Sequence, residues 1–157
     1  MYNMMKSKEQ LLSVLLMLLI AMGYSGCSKD DDSTLDYSVR YCLQDKDGNE
    51  TTSFHVGEDI VFELTVVNTS NGELRFKDES DFIQSAFNVY SSNGEYINTA
   101  AVTVLEMMHP VSVKPGESYH KRQRWEREPL PSGEYYSPLT VRIGNKTRNY
   151  MTKFNVN

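Results

Sequence analysis

This sequence predicts an all-β antiparallel sandwich, and three observations carry the prediction. Apolar and polar residues alternate over short runs, as a half-buried strand requires. Turn-forming residues interrupt those runs about every ten residues. No segment places apolar residues at helical spacing. With 157 residues, a formal net charge of -5 and 39% hydrophobic residues, the chain can bury one core without staples. Its acidic balance argues against a nucleic-acid partner. Two cysteines are too few for a disulfide framework or a four-cysteine zinc site.

The first 26 residues stand apart from that pattern. Lys6 and Lys8 precede an apolar run from Leu11 to Met22, and twelve residues rise only about 18 Å as a helix, short of the hydrocarbon core. A charged start, a short apolar run and a small-residue exit make residues 1–26 a secretory signal. The exit, Gly23-Tyr24-Ser25-Gly26-Cys27, resembles the lipobox of bacterial lipoproteins, which implies a diacylglyceryl thioether on Cys27 and membrane attachment through it. Tyr24 departs from the aliphatic residue usual three positions before that cysteine. An ordinary signal peptide with an incidental cysteine is the other reading. Cleavage would remove Lys6, Lys8 and Glu9, leaving 14 basic and 20 acidic residues.

Residues 27–35 read as an acidic, flexible tether, since Ser28 to Thr34 contains no apolar residue and cannot offset the entropy of ordering. Asp30-Asp31-Asp32 resembles the signal that carries some Gram-negative lipoproteins to the outer face of the outer membrane. A solvated linker facing the periplasm is the plainer reading.

Residues 36–157 form the expected sandwich domain. Tyr37, Val39, Tyr41 and Leu43 alternate with Ser38, Arg40 and Cys42, and Asp45-Lys46-Asp47-Gly48-Asn49 turns the chain. Ile60, Phe62, Leu64 and Val66 fill one face of the next strand, which ends at Asn68. Leu74 and Phe76, then Ile83, Phe87 and Val89, lead to Ser92-Asn93-Gly94, a hairpin signal that returns through Tyr96 and Ile97. The stretch from Thr99 to Pro110 is weakly periodic. Val111 and Val113 run into Pro115-Gly116-Glu117, and Tyr119 to Trp125 is a further strand. Pro129 and Pro131 mark a loop. Tyr135, Leu139, Val141 and Ile143 pair across Gly144-Asn145 with Tyr150, Thr152, Phe154 and Val156. Seven to nine such strands indicate an immunoglobulin-like sandwich with Greek-key connections. A small barrel is the alternative.

The run from Phe54 to Thr69, the Pro115-Gly116-Glu117 turn and Leu130-Pro131-Ser132-Gly133-Glu134-Tyr135 resemble, in the same order, motifs of the BsuPI-like domains, the intracellular proteinase inhibitor family. That resemblance implies a sandwich of immunoglobulin type and, as an activity, inhibition of a serine protease. The loop from Glu126 to Gly133, with Pro129 and Pro131, is then the candidate inhibitory segment.

Candidate chemistry is sparse. His55, His109 and His120 lie in separate elements, and no Gly-x-Ser-x-Gly motif is present, so no catalytic residues and no enzyme activity are expected. Met107-Met108-His109 contains copper-type ligands, yet a buried Met beside an exposed His is the expected arrangement. Asp45-Lys46-Asp47-Gly48 opens like an EF-hand loop but lacks its distal Glu and flanking helices; a hairpin turn is expected, with neither metal nor cofactor. One basic cluster, His120 to Arg127, would place Arg122 and Arg124 on one strand face, where they could hold a carboxylate, a sulfated glycan or an acidic loop. Charges that discourage edge pairing explain the same residues. Trp125 is expected in the core and Cys42 as a thiol outside any disulfide. The expected function is therefore non-catalytic binding of a protein or envelope polymer by a lipid-anchored outer-membrane protein, as a proteinase inhibitor or, alternatively, as an adhesion or envelope-assembly module without inhibitory activity, with Arg122, Arg124, Pro129 and Pro131 as candidate partner-binding residues.

Overall fold

The computed structural model describes residues 28–29, by backbone alone, together with 36–100 and 109–157. Residues 1–26, expected to be a signal, Cys27, residues 30–35 with their three aspartates, and the pair Met107-Met108 lie outside the described residues. Among the described residues twelve strands are formed: β1 (Ser28–Lys29), β2 (Tyr37–Gln44), β3 (Ser53–Phe54), β4 (Val61–Asn68), β5 (Leu74–Phe76), β6 (Ile83–Gln84), β7 (Asn88–Ser91), β8 (Tyr96–Thr99), β9 (Val111–Val113), β10 (Ser118–Arg124), β11 (Gly133–Ile143) and β12 (Lys146–Val156). Seven of them have four or more residues. The surplus over the expected count consists of pairings two or three residues long, too short for alternation to reveal.

Two sheets face each other. The first has the order β1-β2-β4-β10 and the second β3-β12-β11-β7-β8, with β6 also on β11; β5 and β9 form a small separate ribbon. β2-β4-β10 against β12-β11-β7-β8 is the A-B-E against G-F-C-C′ order of an immunoglobulin-like sandwich. The chain visits the second sheet briefly at β3 between β2 and β4, then crosses between sheets from β4 to β6, from β8 to β10 and from β10 to β11, while β7-β8 and β11-β12 are hairpins within the second sheet. Gly94 (φ 90°) and Gly144 (φ 61°) occupy the left-handed positions of those two hairpin turns.

Strand parity decides what is buried. Tyr37, Val39, Tyr41 and Leu43 of β2 and Phe62, Leu64 and Val66 of β4 point inward against Tyr135, Leu139 and Val141 of β11 and Phe154 and Val156 of β12. Each fully buried aliphatic or aromatic side chain contributes about 1.5–3 kcal/mol. Phe62 sits edge to face with both Phe87, at 6.1 Å, and Phe154, at 6.4 Å. Phe82, Phe76 and Tyr119 form an aromatic group beside the ribbon, with Phe76 stacked on Phe82 at 4.2 Å.

One polar clip crosses this core. The Tyr41 hydroxyl shares a 2.7 Å hydrogen bond with Ser137 Oγ and accepts one of 3.0 Å from the Phe87 backbone N–H. Thr152 Oγ1 donates to the Tyr41 carbonyl at 2.9 Å. Tyr41 thus ties the first sheet to both strands of the β11-β12 hairpin. Phe87 and Ser85 hold positive φ, 66° and 62°, a costly conformation for non-glycine residues, and the turn they make interrupts pairing between β6 and β7. Pro138 lies opposite that interruption, between the β11 residues paired with β7 and those paired with β6. A proline is tolerated in this central strand because no ladder partner faces it on that side.

Ser28 and Lys29, within the segment expected to be a tether, pair with Tyr41 and Arg40 and add a short edge strand to the first sheet.

Candidate functional site

The candidate residues sit where β10 ends, β4 begins and the chain crosses to β11. Antiparallel registry of Arg124 with Val61 and of Gly133 with Val156 brings the 55–60 loop, the 125–132 loop and the C-terminus to this end. As β10 parity requires, His120, Arg122 and Arg124 are exposed on one face, while Tyr119 and Lys121 turn toward the other. Lys121 donates to Glu79 at 2.7 Å, beside the Tyr119 hydroxyl that donates to the same carboxylate at 2.6 Å. His120 Nδ1 lies 3.1 Å from Thr65 Oγ1.

The two arginines differ. Arg124 pairs with Asp59 at 2.5 Å, which fastens β10 to the loop before β4. Arg122 lies across from Glu63, whose carboxylate is taken by Arg40 and Gln44 instead; Arg122 has no ion pair among the described residues. Arg40 and Gln44 flank Cys42 on one face and converge on Glu63, the cross-strand partner of Cys42. They close over the small thiol, which is why a residue on the polar parity of its strand is buried.

The segment from Glu126 to Gly133 is fastened at four points. Trp125, itself buried as expected, donates from Nε1 to the Glu128 carbonyl at 2.9 Å. Arg127 Nε donates to the Thr99 carbonyl at 3.2 Å, Leu130 enters the core, and the Tyr135 hydroxyl donates to the Pro131 carbonyl at 2.8 Å. The last contact is the tyrosine corner of immunoglobulin-like sandwiches, a phenol at the start of strand F, here β11, bonded back to the crossing loop. Pro129 and Pro131 are exposed on either side of buried Leu130. A hollow of about 780 Å³ borders the segment on one side, with Ile97, Arg127 and Pro131 in its wall. One of about 220 Å³, with His55, Asp59 and Arg124 in its wall, borders it on the other, and Pro129 lines both. The structure therefore brings Arg124, Pro129 and Pro131 to one end of the sandwich and leaves Arg122 farther along the strand.

The Asp45 turn is a closed hairpin loop. Asp45 accepts from the Asn49 side chain and from the backbone N–H groups of Asn49 and Asp47, at 2.8–2.9 Å. The Asn49 amide foremost, with these N–H groups, holds the carboxyl below its ordinary range. Among the described residues no three His, Cys, Asp or Glu side chains gather in a metal-binding group, and His109 is exposed.

No protein-family model and no curated protein matches the chain. Among solved structures, ycdA of Bacillus subtilis, described as a lipoprotein, is similar over 83% of this chain and 38% of its own length, at 12% identity and a TM-score of 0.44. The chain thus spans well under half of that protein. At so low a score the fold rests on the strand order given above, and the function on the residues themselves.

Proposed function

We propose that the protein is an exported lipoprotein, held in the outer membrane by lipid on Cys27, whose immunoglobulin-like domain binds a partner in the cell envelope without catalysis. The observation that carries this reading is the joining of a lipobox-like segment to a sandwich whose first paired residue among the described ones, Ser28, directly follows that cysteine. Several acyl chains give stable attachment where one does not. With Ser28 and Lys29 on the edge of β2, the anchor would hold the first sheet near the bilayer and leave the second free for a partner.

Mass spectrometry of the membrane fraction tests the anchor. A diacylglyceryl-modified Cys27 at the amino terminus is the expected result, with Cys27→Ser releasing the protein from the membrane. A membrane-free parent protein carrying unmodified Cys27 overturns the reading.

Inhibition of a serine protease is the second reading, supported by the exposure of Pro129 and Pro131. The fastening of their loop favours simple binding over it, because an inhibitory segment offers successive residues to the enzyme, whereas Leu130 and the Pro131 carbonyl are turned to the fold. Stoichiometric inhibition across a panel of serine proteases, lost in Pro129→Gly/Pro131→Gly, would reverse that preference.

A further inference from the structure

Three tyrosines from neighbouring strands meet on the outer face of the second sheet. Tyr136 of β11 and Tyr90 of β7 are cross-strand partners, and their rings stack with centroids 5.3 Å apart and planes 12° from parallel. Tyr96 of β8, paired with Tyr90, sets its ring at 63° to that of Tyr90, at 5.4 Å. One face of the Tyr136 ring is therefore occupied by Tyr90. Toward β12 lies a hollow of about 330 Å³ lined by Ser92, Glu134, Tyr136, Met151, Lys153 and Asn155. Tyr136 borders it and Tyr90 does not, so the second face of the Tyr136 ring forms a wall that Tyr90 supports from behind.

Beside the ring the hollow is mixed: Met151 adds an aliphatic part, and Ser92, Glu134, Lys153 and Asn155 add polar groups. Tyr136 pairs across strands with Lys153, and Glu134 with Asn155, which places an acid, an amide and an ammonium on the same face around the ring. The Glu134 carboxylate and the Lys153 ammonium make no hydrogen bond or ion pair among the described residues, and neither do the hydroxyls of Tyr90, Tyr96 and Tyr136. A volume of this size lies at the small end of ligand clefts, about 300–1,000 Å³.

We propose that this face binds a neutral, hydroxyl-rich polysaccharide, one sugar ring packing on Tyr136 and its hydroxyls meeting Glu134, Lys153 and Asn155. The C–H face of a pyranose is apolar and carries slightly positive hydrogens, which suit the negative face of an aromatic ring. Sugar hydroxyls need both donors and acceptors, and an ammonium, a carboxylate and an amide supply both. One positive and one negative charge balance, so the face selects for neither a polyanion nor a polycation. Aliphatic side chains here are few, chiefly Met151 and Pro138, less than the apolar centre of a protein interface. The proposal uses none of the residues at the crossing loop and stands independently of the reading above.

The test is calorimetric titration of the full chain in detergent with chito-, cello- and mannooligosaccharides, together with pull-down of envelope proteins on the immobilised parent and Tyr136→Ala chains. Binding to at least one neutral glycan is expected, changing little between low and high salt. Tyr136→Ala should weaken it about tenfold, and Tyr136→Phe should hold it within about twofold, because the ring face is kept. Should Tyr136→Ala fail to fold by circular dichroism, Glu134→Ala and Lys153→Ala decide instead, each expected to weaken binding several-fold. No binding to any glycan of the panel overturns the proposal, as does a folded Tyr136→Ala, or both polar variants, binding as tightly as the parent. Loss of an envelope protein from the Tyr136→Ala pull-down, with no glycan bound by the parent, assigns the face to a protein partner and overturns it equally.

Discussion

Tyr41 and Tyr135 on one side, and Tyr90 and Tyr136 on the other, are the same residue put to opposite uses. The first two sit at inward positions of β2 and β11, and each spends its hydroxyl within the fold: Tyr41 on Ser137 and the Phe87 N–H, Tyr135 on the Pro131 carbonyl. The second two point outward, stack on each other and leave their hydroxyls to solvent. A one-residue step along β11, from 135 to 136, separates the two roles. Burial with a satisfied hydroxyl makes a tyrosine structural. Exposure with an unsatisfied one makes it available.

The largest effect that tests this contrast is alkaline. Burial pushes the Tyr41 phenol from 10.0 up to about 12, with the Ser137 and Phe87 hydrogen bonds opposing the rise. Between those two values the unfolded chain ionises its tyrosine and the folded chain does not. The stability from keeping Tyr41 neutral is therefore fully present below pH 10 and is lost as pH rises toward 12, by about 3 kcal/mol over the window. Urea denaturation at pH 9 and pH 11.5 should show a steeper loss for the parent than for Tyr41→Phe, which has no phenol to ionise. Equal slopes would place the Tyr41 hydroxyl in contact with solvent and dissolve the distinction.

At neutral pH the substitution itself comes next. Tyr41→Phe leaves the Phe87 N–H and the Ser137 hydroxyl buried without their partner, and a loss of about 1–3 kcal/mol is expected in urea denaturation. Adding Ser137→Ala should restore part of it, since one stranded group is then removed. Tyr135→Phe gives up a single hydrogen bond at the rim of the core and should cost about 1 kcal/mol, measured the same way.

Parity made the inward set legible in advance. Tyr37, Val39, Tyr41 and Leu43 alternate without interruption, as do Ile60 to Val66, and both runs bury the face that alternation assigns. The partners of the hydroxyls were not legible, because Tyr41 and Ser137 lie 96 residues apart and meet only once two sheets face each other. The loop around Pro129 and Pro131 could be read as a turn but not as a fastened one, since its anchors, the Thr99 carbonyl and the Tyr135 phenol, belong to other elements. Cys42 shows the same limit: its outward parity was correct, and the convergence of Arg40 and Gln44 on Glu63 buried it nonetheless. On the outer face of the second sheet, Glu134 and Lys153 carried no signal of their own. They gain meaning from lying beside a ring that is stacked on one side and open on the other.

The smallest expected effect is the sharpest for the outward set. Tyr90→Phe and Tyr136→Phe keep both rings and their 5.3 Å stack while removing hydroxyls that bond to nothing among the described residues, so stability should change by less than about 0.5 kcal/mol. The same substitution on Tyr41 is expected to cost several times more, although the chemical change is identical. If Tyr136→Phe cost as much as Tyr41→Phe, its hydroxyl would be holding the fold, and the outward tyrosines would belong with the inward ones. If it cost nothing while Tyr136→Ala removed ligand binding, the ring face alone would be what β11 presents, and the fold would have no use of its own for that hydroxyl.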